Sequence, residues 1–425
     1  MGHLARSKAH RVLREQLDRY PLGAPGEALI LEILETIFTQ EEALLAASLP
    51  LGFSSLEQLS KKLKMSSSTL KRRLDAMADK GLVLDLEIGG VTRYALPPTL
   101  VGLFEFSMMR IREDFDQKKL AELYHRYLVE EPQYFSRIAG NETTPFRTLV
   151  HEETLPADYS EILDFERATK TIENQAYVAV GICHCRHVAH HRGRECQTFP
   201  MTSCLSFGNV ADYLVRHDFA KRVNHSEALK LIADAKSKGM VHIGDNVQTE
   251  PNYLCNCCSC CCEVLASFRN FDFFTNTFSS NFEAQSDSEL CSGCKACSLA
   301  CPVNAIKIEA TGRTSASGKA QHRAVVDRDT CIGCGVCVPK CKRNAIKMVP
   351  RPQRHVIPEN TIARTLMMAV ENGTLQSLLI DRHSTMTSAA IAGFVGAVLK
   401  LPPAKQMLAN ASLKSRFVNF LARRA

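Results

Sequence analysis

The sequence predicts an α+β protein of several domains, and three observations carry that expectation. An N-terminal stretch of helical periodicity closes with a hairpin pattern around Gly89-Gly90. A central stretch mixes short strand-like runs with helices, as an α/β domain would, and holds ten cysteines. A C-terminal stretch repeats the spacing C-x2-C-x2-C-x3-C in tandem. The expected boundaries are 1-100 for the helical and hairpin domain, 101-176 for a helical connector, 177-285 for the cysteine-rich domain, 286-350 for the repeat and 351-425 for a helical extension.

With 425 residues, 45% hydrophobic and 23% charged, the chain can build two or three cores of ordinary composition. The first twenty residues mix charges and lack the apolar core of a signal peptide, which predicts a reducing, cytoplasmic setting. Eighteen cysteines in such a setting point to thiolate–metal ligation rather than disulfides. The apolar run Met386 to Leu399 is shorter than the roughly 20 residues of a spanning helix. The net charge of +7 suits an acidic protein, nucleic acid or an anionic membrane without choosing among them.

Along the N-terminal domain, Leu29, Ile30, Ile33, Leu34, Ile37 and Phe38 recur at helical spacing. A short helix follows with Leu56, Leu59 and Leu63 on one face. Ser66 to Ser68 break it and cap the next helix, which Gly81 ends. The stretch LVLDLEIGGVTRYAL then alternates on both sides of the glycine pair, as a hairpin does. Over about 70 residues this order resembles a winged helix-turn-helix domain. That resemblance implies DNA or protein docking, with Lys71, Arg72 and Arg73 on the second helix and Arg93 in the wing. Asp75, Asp79, Asp85 and Glu87 dilute the positive charge, so no strongly basic stripe results.

Residues 98 to 176 read as helical, ending in ILDFERATKTIENQ, and the run YVAVGI then leads to the first central cysteines. A helix at HSEALKLIADAKSKG and a strand at MVHIG precede the second group.

In the repeat, Cys291, Cys294, Cys297 and Cys301 are matched by Cys331, Cys334, Cys337 and Cys341, each set followed by Asn-Ala-Ile-Lys. This resembles a bacterial two-cluster ferredoxin domain, with a ferredoxin-like fold. Tandem, evenly spaced cysteines differ from the paired C-x2-C of zinc sites. The resemblance implies two 4Fe-4S clusters, one on Cys291, Cys294, Cys297 and Cys341, the other on Cys331, Cys334, Cys337 and Cys301. Gly293, Gly333 and Gly335 are expected where backbone passes close to inorganic sulfur. Lys342 stands where a proline usually follows, and its charge would favour the reduced state of a nearby cluster. The polar insert TGRTSASGKAQ is expected as a surface loop.

The ten central cysteines are Cys183, Cys185, Cys196 and Cys204, then Cys255, Cys257, Cys258, Cys260, Cys261 and Cys262. They suit one or two further iron-sulfur clusters. Adjacent cysteines point apart, so the two groups are expected to meet and share ligands. Cys255, Cys258 and Cys261 repeat the C-x2-C-x2-C loop. One pairing joins Cys183, Cys196 and Cys204 to one cysteine of the second group, and Cys185 to three others. Arg186, His187, His190, His191 and Arg192 are candidates for tuning a cluster or, for a histidine, replacing a ligand.

No glycine-rich dinucleotide fingerprint, P-loop or radical-SAM cysteine motif is present. The expected function is therefore multi-cluster electron transfer as a component of a larger redox system, with a protein partner such as a flavoprotein. The alternatives are a redox-sensing DNA-binding regulator and a reductase with a catalytic central cluster. In the C-terminal stretch, Leu413, Phe417, Phe420 and Leu421 with Lys414, Arg416, Arg423 and Arg424 form a basic amphipathic helix. It would contact a partner or the inner face of a membrane.

Overall fold

A computed structural model describes residues 2–26, 28–139, 141–155, 163–271, 278–314 and 320–379. The expected C-terminal amphipathic helix and the run Met386 to Leu399 lie outside these residues. No helix among the described residues is long and apolar enough to cross a membrane.

The N-terminal region packs the helices Gly2–Leu17, Ala28–Ile37 and Gln40–Ser48 against a helix pair, Leu56–Leu63 and Ser67–Asp79. Local chemistry sets the ends. Ser55 and Gln58 cap the first helix of the pair reciprocally, Ser66 caps the second, and Gly81 follows it at φ +78°. The hairpin Leu84–Ile88 with Val91–Ala95 turns at Gly89-Gly90. Together with Ser54–Ser55 it makes a three-stranded antiparallel sheet.

The central region is built on a seven-stranded sheet in the order Phe278–Ser279, Phe146–Leu149, Val241–Asp245, Tyr253–Cys257, Thr202–Phe207, Val178–Ile182, Ala220–Val223. Only the first neighbouring pair is parallel. Two expectations change here. The connector is not wholly helical, because Phe146–Leu149 is a strand inside the sheet. All four of its residues are buried, so it shows no alternation to read in the sequence. The helix expected over 162–175 is broken into a 3-10 turn Asp164–Glu166 and a helix Ala168–Glu173. Arg167 between them is extended, and buried Glu166 accepts a hydrogen bond from Asn281.

Two two-stranded sheets carry the cysteine repeat. Phe282–Ser286 pairs with Ile346–Pro350, and Ile306–Thr314 with Ala320–Val326. The described ends of the polar insert, 311–314 and 320–321, lie within the two strands of the second pair. The helix Thr361–Glu371 returns to the body of the protein. Glu371 accepts from the amide and hydroxyl of Thr143 at 3.0 and 2.6 Å, and Arg364 pairs with buried Asp245.

Candidate metal centres

The cysteine repeat folds as two matching halves. Asp287 and Asp327 each accept the backbone N–H groups of the residues two and three positions on, Glu289 and Leu290 or Asp329 and Thr330, setting the start of each loop. Asn304 and Asn344 occupy the same left-handed conformation. Cys301 Sγ accepts from the amide of Ala305 at 3.2 Å, and Cys341 Sγ from that of Ala345 at 3.2 Å. Cys291 Sγ accepts from Ala324 at 3.3 Å and Cys331 Sγ from Ala284 at 3.5 Å. Backbone donors aimed at sulfur favour the more negative, reduced state of a bound cluster. Burial raises the Cys297 thiol, and so do the charges of Cys291 and Cys341. At Cys334, burial acts first, then Cys337, Cys301 and Cys331. Cys341 thus lies near enough to Cys297 to act on it, and Cys301 near enough to Cys334 and Cys337.

The crowding at the glycines comes from protein. Gly293 and Gly333 both have φ +68°. A Cβ on Gly293 would press on the backbone of His322, and one on Gly333 on the carbonyl of Phe282. Lys342 is exposed.

The central thiols divide into two sets. Cys183 ends the strand Val178–Ile182 and caps the helix His184–His191, and Cys262 caps the helix Glu263–Asn270. Cys255 and Cys257, two apart on one strand, share a face of the sheet, and Leu205 opposite Leu254 brings Cys204 beside Cys255. The result is a row in which successive thiols lie close enough to shift one another's ionisation: Cys183 and Cys185, Cys185 and Cys262, Cys262 and Cys257, Cys257 and Cys255, and Cys255 and Cys204. Hydrogen bonds from Cys185 and Cys257, with helix amides of Leu265 and Val264, hold Cys262 well below the ordinary thiol range. The thiolate is the metal-ligating form.

The other set is Cys196, Cys258, Cys260 and Cys261, whose Sγ atoms all lie within 4.8 Å of one another. The expected pairing is therefore replaced. Cys196 groups with Cys258, Cys260 and Cys261 instead of with Cys183 and Cys204, and Cys255 is not among the four. The physical reason is that the strand ends at Cys257 and a tight turn carries Cys258 to Cys261 away from its face.

The histidines take other partners. His187 bonds the Met108 carbonyl at 2.7 Å, His191 meets His187 at 3.1 Å, and His190 faces Glu195. Arg186 is the exception, buried at 2% exposure between the two thiol sets. Burial alone would lower its pKa, but the charges of Cys183 and Cys258 overcome this and raise it. Two functional candidates escaped the sequence reading. Buried Glu263 binds His184 at 3.1 Å and faces His125 at 3.5 Å, bracing the helix that carries Cys185. Its only signal was an acid directly after six cysteines, which a helix N-terminus also explains. Arg269 donates to the carbonyls of Ser259 at 2.9 Å and Pro302 at 2.8 Å, tying the central turn to the repeat.

No curated protein and no solved structure matches the chain. Residues 290–345 match the family model of the 4Fe-4S dicluster domain, so this part of the chain is an iron-sulfur domain of the ferredoxin type.

Proposed function

We propose that the protein is a multi-cluster electron relay serving a larger redox system through a protein partner. The observation that carries this reading is the joint between the repeat and the central thiol row. Val303, Ile332, Cys334 and Val336 share one hydrophobic core with Cys257 and Cys262, with Cys185 and Cys255 packed against it. The amide of His151 bonds the Cys334 carbonyl at 3.2 Å, and Arg269 bridges the two parts. The relay runs from the outer quartet, Cys291, Cys294, Cys297 and Cys341, through the inner quartet, Cys301, Cys331, Cys334 and Cys337, to the thiol row.

Bound 4Fe-4S clusters supply one-electron transfer at these thiolates. The chain's own residues do the rest. The outer loop, with Cys294 exposed, is the face offered to a redox partner such as a flavoprotein, while the buried inner loop excludes water. Cys183, Cys185, Cys204, Cys255, Cys257 and Cys262 supply the four thiolates that one more cluster takes, with two to spare. Those two spare thiols favour, as a second reading, a central centre that itself reduces a disulfide to two thiols, with electrons delivered through the relay.

The N-terminal region reads as a winged helix used for docking within the chain. Its strand Leu84–Ile88 packs on the helix Gly208–Arg216, with Leu84, Leu86, Tyr213, Leu214 and Phe219 in one core. Of the candidate DNA contacts Lys71, Arg72, Arg73 and Arg93, Lys71 is paired to Asp75 and Arg73 to Glu41.

Anaerobic purification with iron and sulfide counting, followed by an EPR-monitored titration, tests the relay. About 12 cluster irons per chain are expected, falling to about eight when Cys255, Cys257 and Cys262 are all replaced by Ser, which leaves the row fewer than four thiolates. A wild-type count of about eight, each matched by sulfide, would leave the central row without a cluster and sink the proposal.

A further inference from the structure

Four central thiols stand apart from the relay in both position and spacing. Cys260 Sγ is 3.5 Å from Cys261 Sγ and 3.8 Å from Cys196 Sγ, and Cys196 Sγ is 3.8 Å from Cys258 Sγ. Elementary geometry gives this spacing a meaning. Four sulfurs each about 2.3 Å from one ion at the centre of a tetrahedron are about 3.8 Å apart. In a cubane the thiolates extend outward from four separate irons, so their sulfurs stand about 6 Å apart. Among the described residues, this is the one set of metal-ligating side chains whose donor atoms all lie within 4.8 Å. Neither quartet of the ferredoxin-type domain closes that far.

The surroundings differ as well. Cys258 and Cys261 belong to a small apolar cluster of their own with Ala189, Phe199, Ala235 and Met240, and Cys196 packs against it. The thiol row belongs to the main core instead. Four thiolates around a divalent ion leave a net charge of −2, which calls for cations nearby. Arg186 is buried beside Cys196 and Cys258, and its Nε is buried without a partner among the described residues. Arg269 holds the turn through the Ser259 carbonyl, and the Arg194 carbonyl faces Cys261 Sγ at 3.9 Å.

We propose that Cys196, Cys258, Cys260 and Cys261 hold a single tetrahedral metal ion, zinc or iron, separate from any iron-sulfur cluster. Four protein ligands leave no open position, so the ion is structural: it pins the loop around Cys196 to the turn of the second cysteine group. This inference does not rest on the relay, since it concerns thiols that the relay leaves unused.

The test uses the full chain purified anaerobically, with zinc, iron and acid-labile sulfide counted and X-ray absorption recorded at both metal edges. One metal ion per chain without matching sulfide is expected. For zinc, its edge would show a shell of sulfur alone at about 2.3 Å and no second metal nearby. For mononuclear iron, the oxidised protein would instead carry a high-spin ferric EPR signal that accounts for one iron in excess of sulfide. Cys260→Ser, at an exposed position, should lose that one ion and leave the sulfide count unchanged. Loss of iron and sulfide in equal number from Cys260→Ser would overturn the proposal. So would a wild-type protein with neither zinc nor sulfide-free iron, a result that needs no variant to fold.

Discussion

Arg186 Nη2 donates to the backbone carbonyl of Asn256 at 2.8 Å, joining the helix of the first cysteine group to the strand of the second. Its Nη1 donates to Ser203 Oγ at 2.5 Å, and Asn256 Nδ2 to the Ser203 carbonyl at 3.0 Å. A cation thus fixes the register of the three segments that bring the central thiols together. Arg186→Gln removes the charge and leaves buried acceptors unpaired, a loss of about 3 kcal/mol in stability. It should also lower the potential of a central cluster by on the order of 100 mV, since a nearby cation favours the reduced state. Arg186→Lys keeps the charge and should retain most of the potential while losing the forked hydrogen bonds. Redox titration of both variants separates the two effects, and an unchanged potential in Arg186→Gln would count against a redox centre at this site.

Exposure would distinguish the two quartets proposed for the ferredoxin-type domain. Cys294 is exposed, whereas Cys334 and Cys337 are 8% and 7% accessible. On controlled exposure to air, the outer quartet should lose iron first. Cys294→Ser should leave the inner cluster's EPR signal intact. Cys334→Ser should remove the inner cluster and also weaken the main core to which Cys334 belongs. Equal rates of loss from both quartets would show that solvent access does not control their decay.

What the sequence made legible was local. Ser55, Ser66, Gly81 and the Gly89-Gly90 pair each act within a few residues, so the helix pair and hairpin could be read directly. The repeat was legible because three of each motif's four cysteines lie on one loop. The central site was not, because its ligand sets depend on strand pairing between segments about 50 residues apart. A loop reading of Cys255, Cys258 and Cys261 fails once Cys255 is in a strand and the other two are in a turn. Phe146–Leu149 escaped for a related reason: a strand buried on both faces has no alternation to betray it.

Two glycines with similar backbones separate conformational cost from crowding. Gly312 has φ +74° with open space where a Cβ would stand, while Gly333 has φ +68° against the Phe282 carbonyl and Ser280. Gly312→Ala should cost about 1 kcal/mol, the left-handed penalty alone. Gly333→Ala adds a collision with backbone and should cost about 3 kcal/mol, with loss of iron from the inner quartet beside it. Apparent melting temperatures at one scan rate, with iron counts, would check the order. Equal effects would mean that the loop at Gly333 yields without cost.

The contact between the N-terminal hairpin and the central region should depend on pH through His217. Its Nδ1 bonds Asp79 at 2.6 Å and its Nε2 bonds Asp85 at 2.9 Å. Arg216 also binds Asp85, at 3.1 Å, and Arg110 donates to the His217 carbonyl at 3.0 Å. Burial works to lower the His217 pKa, but the hydrogen bonds and charges of Asp85 and then Asp79 outweigh it and raise the value above 6.5. Burial likewise opposes ionisation of Asp85, and His217 and Arg216 overcome it, so its pKa is lowered. The sign follows from linkage. A raised histidine contributes stability that is full below its unfolded value of about 6.5 and is lost as pH climbs through the folded value. Asp85 contributes above its own unfolded value and loses that contribution only in acid. Comparison of wild type with His217→Gln should therefore show the largest stability gap near pH 6, shrinking toward pH 9. Melting curves across that range would read it, and a gap that stays constant or widens with pH would mean that His217 is not held as a cation between the two aspartates.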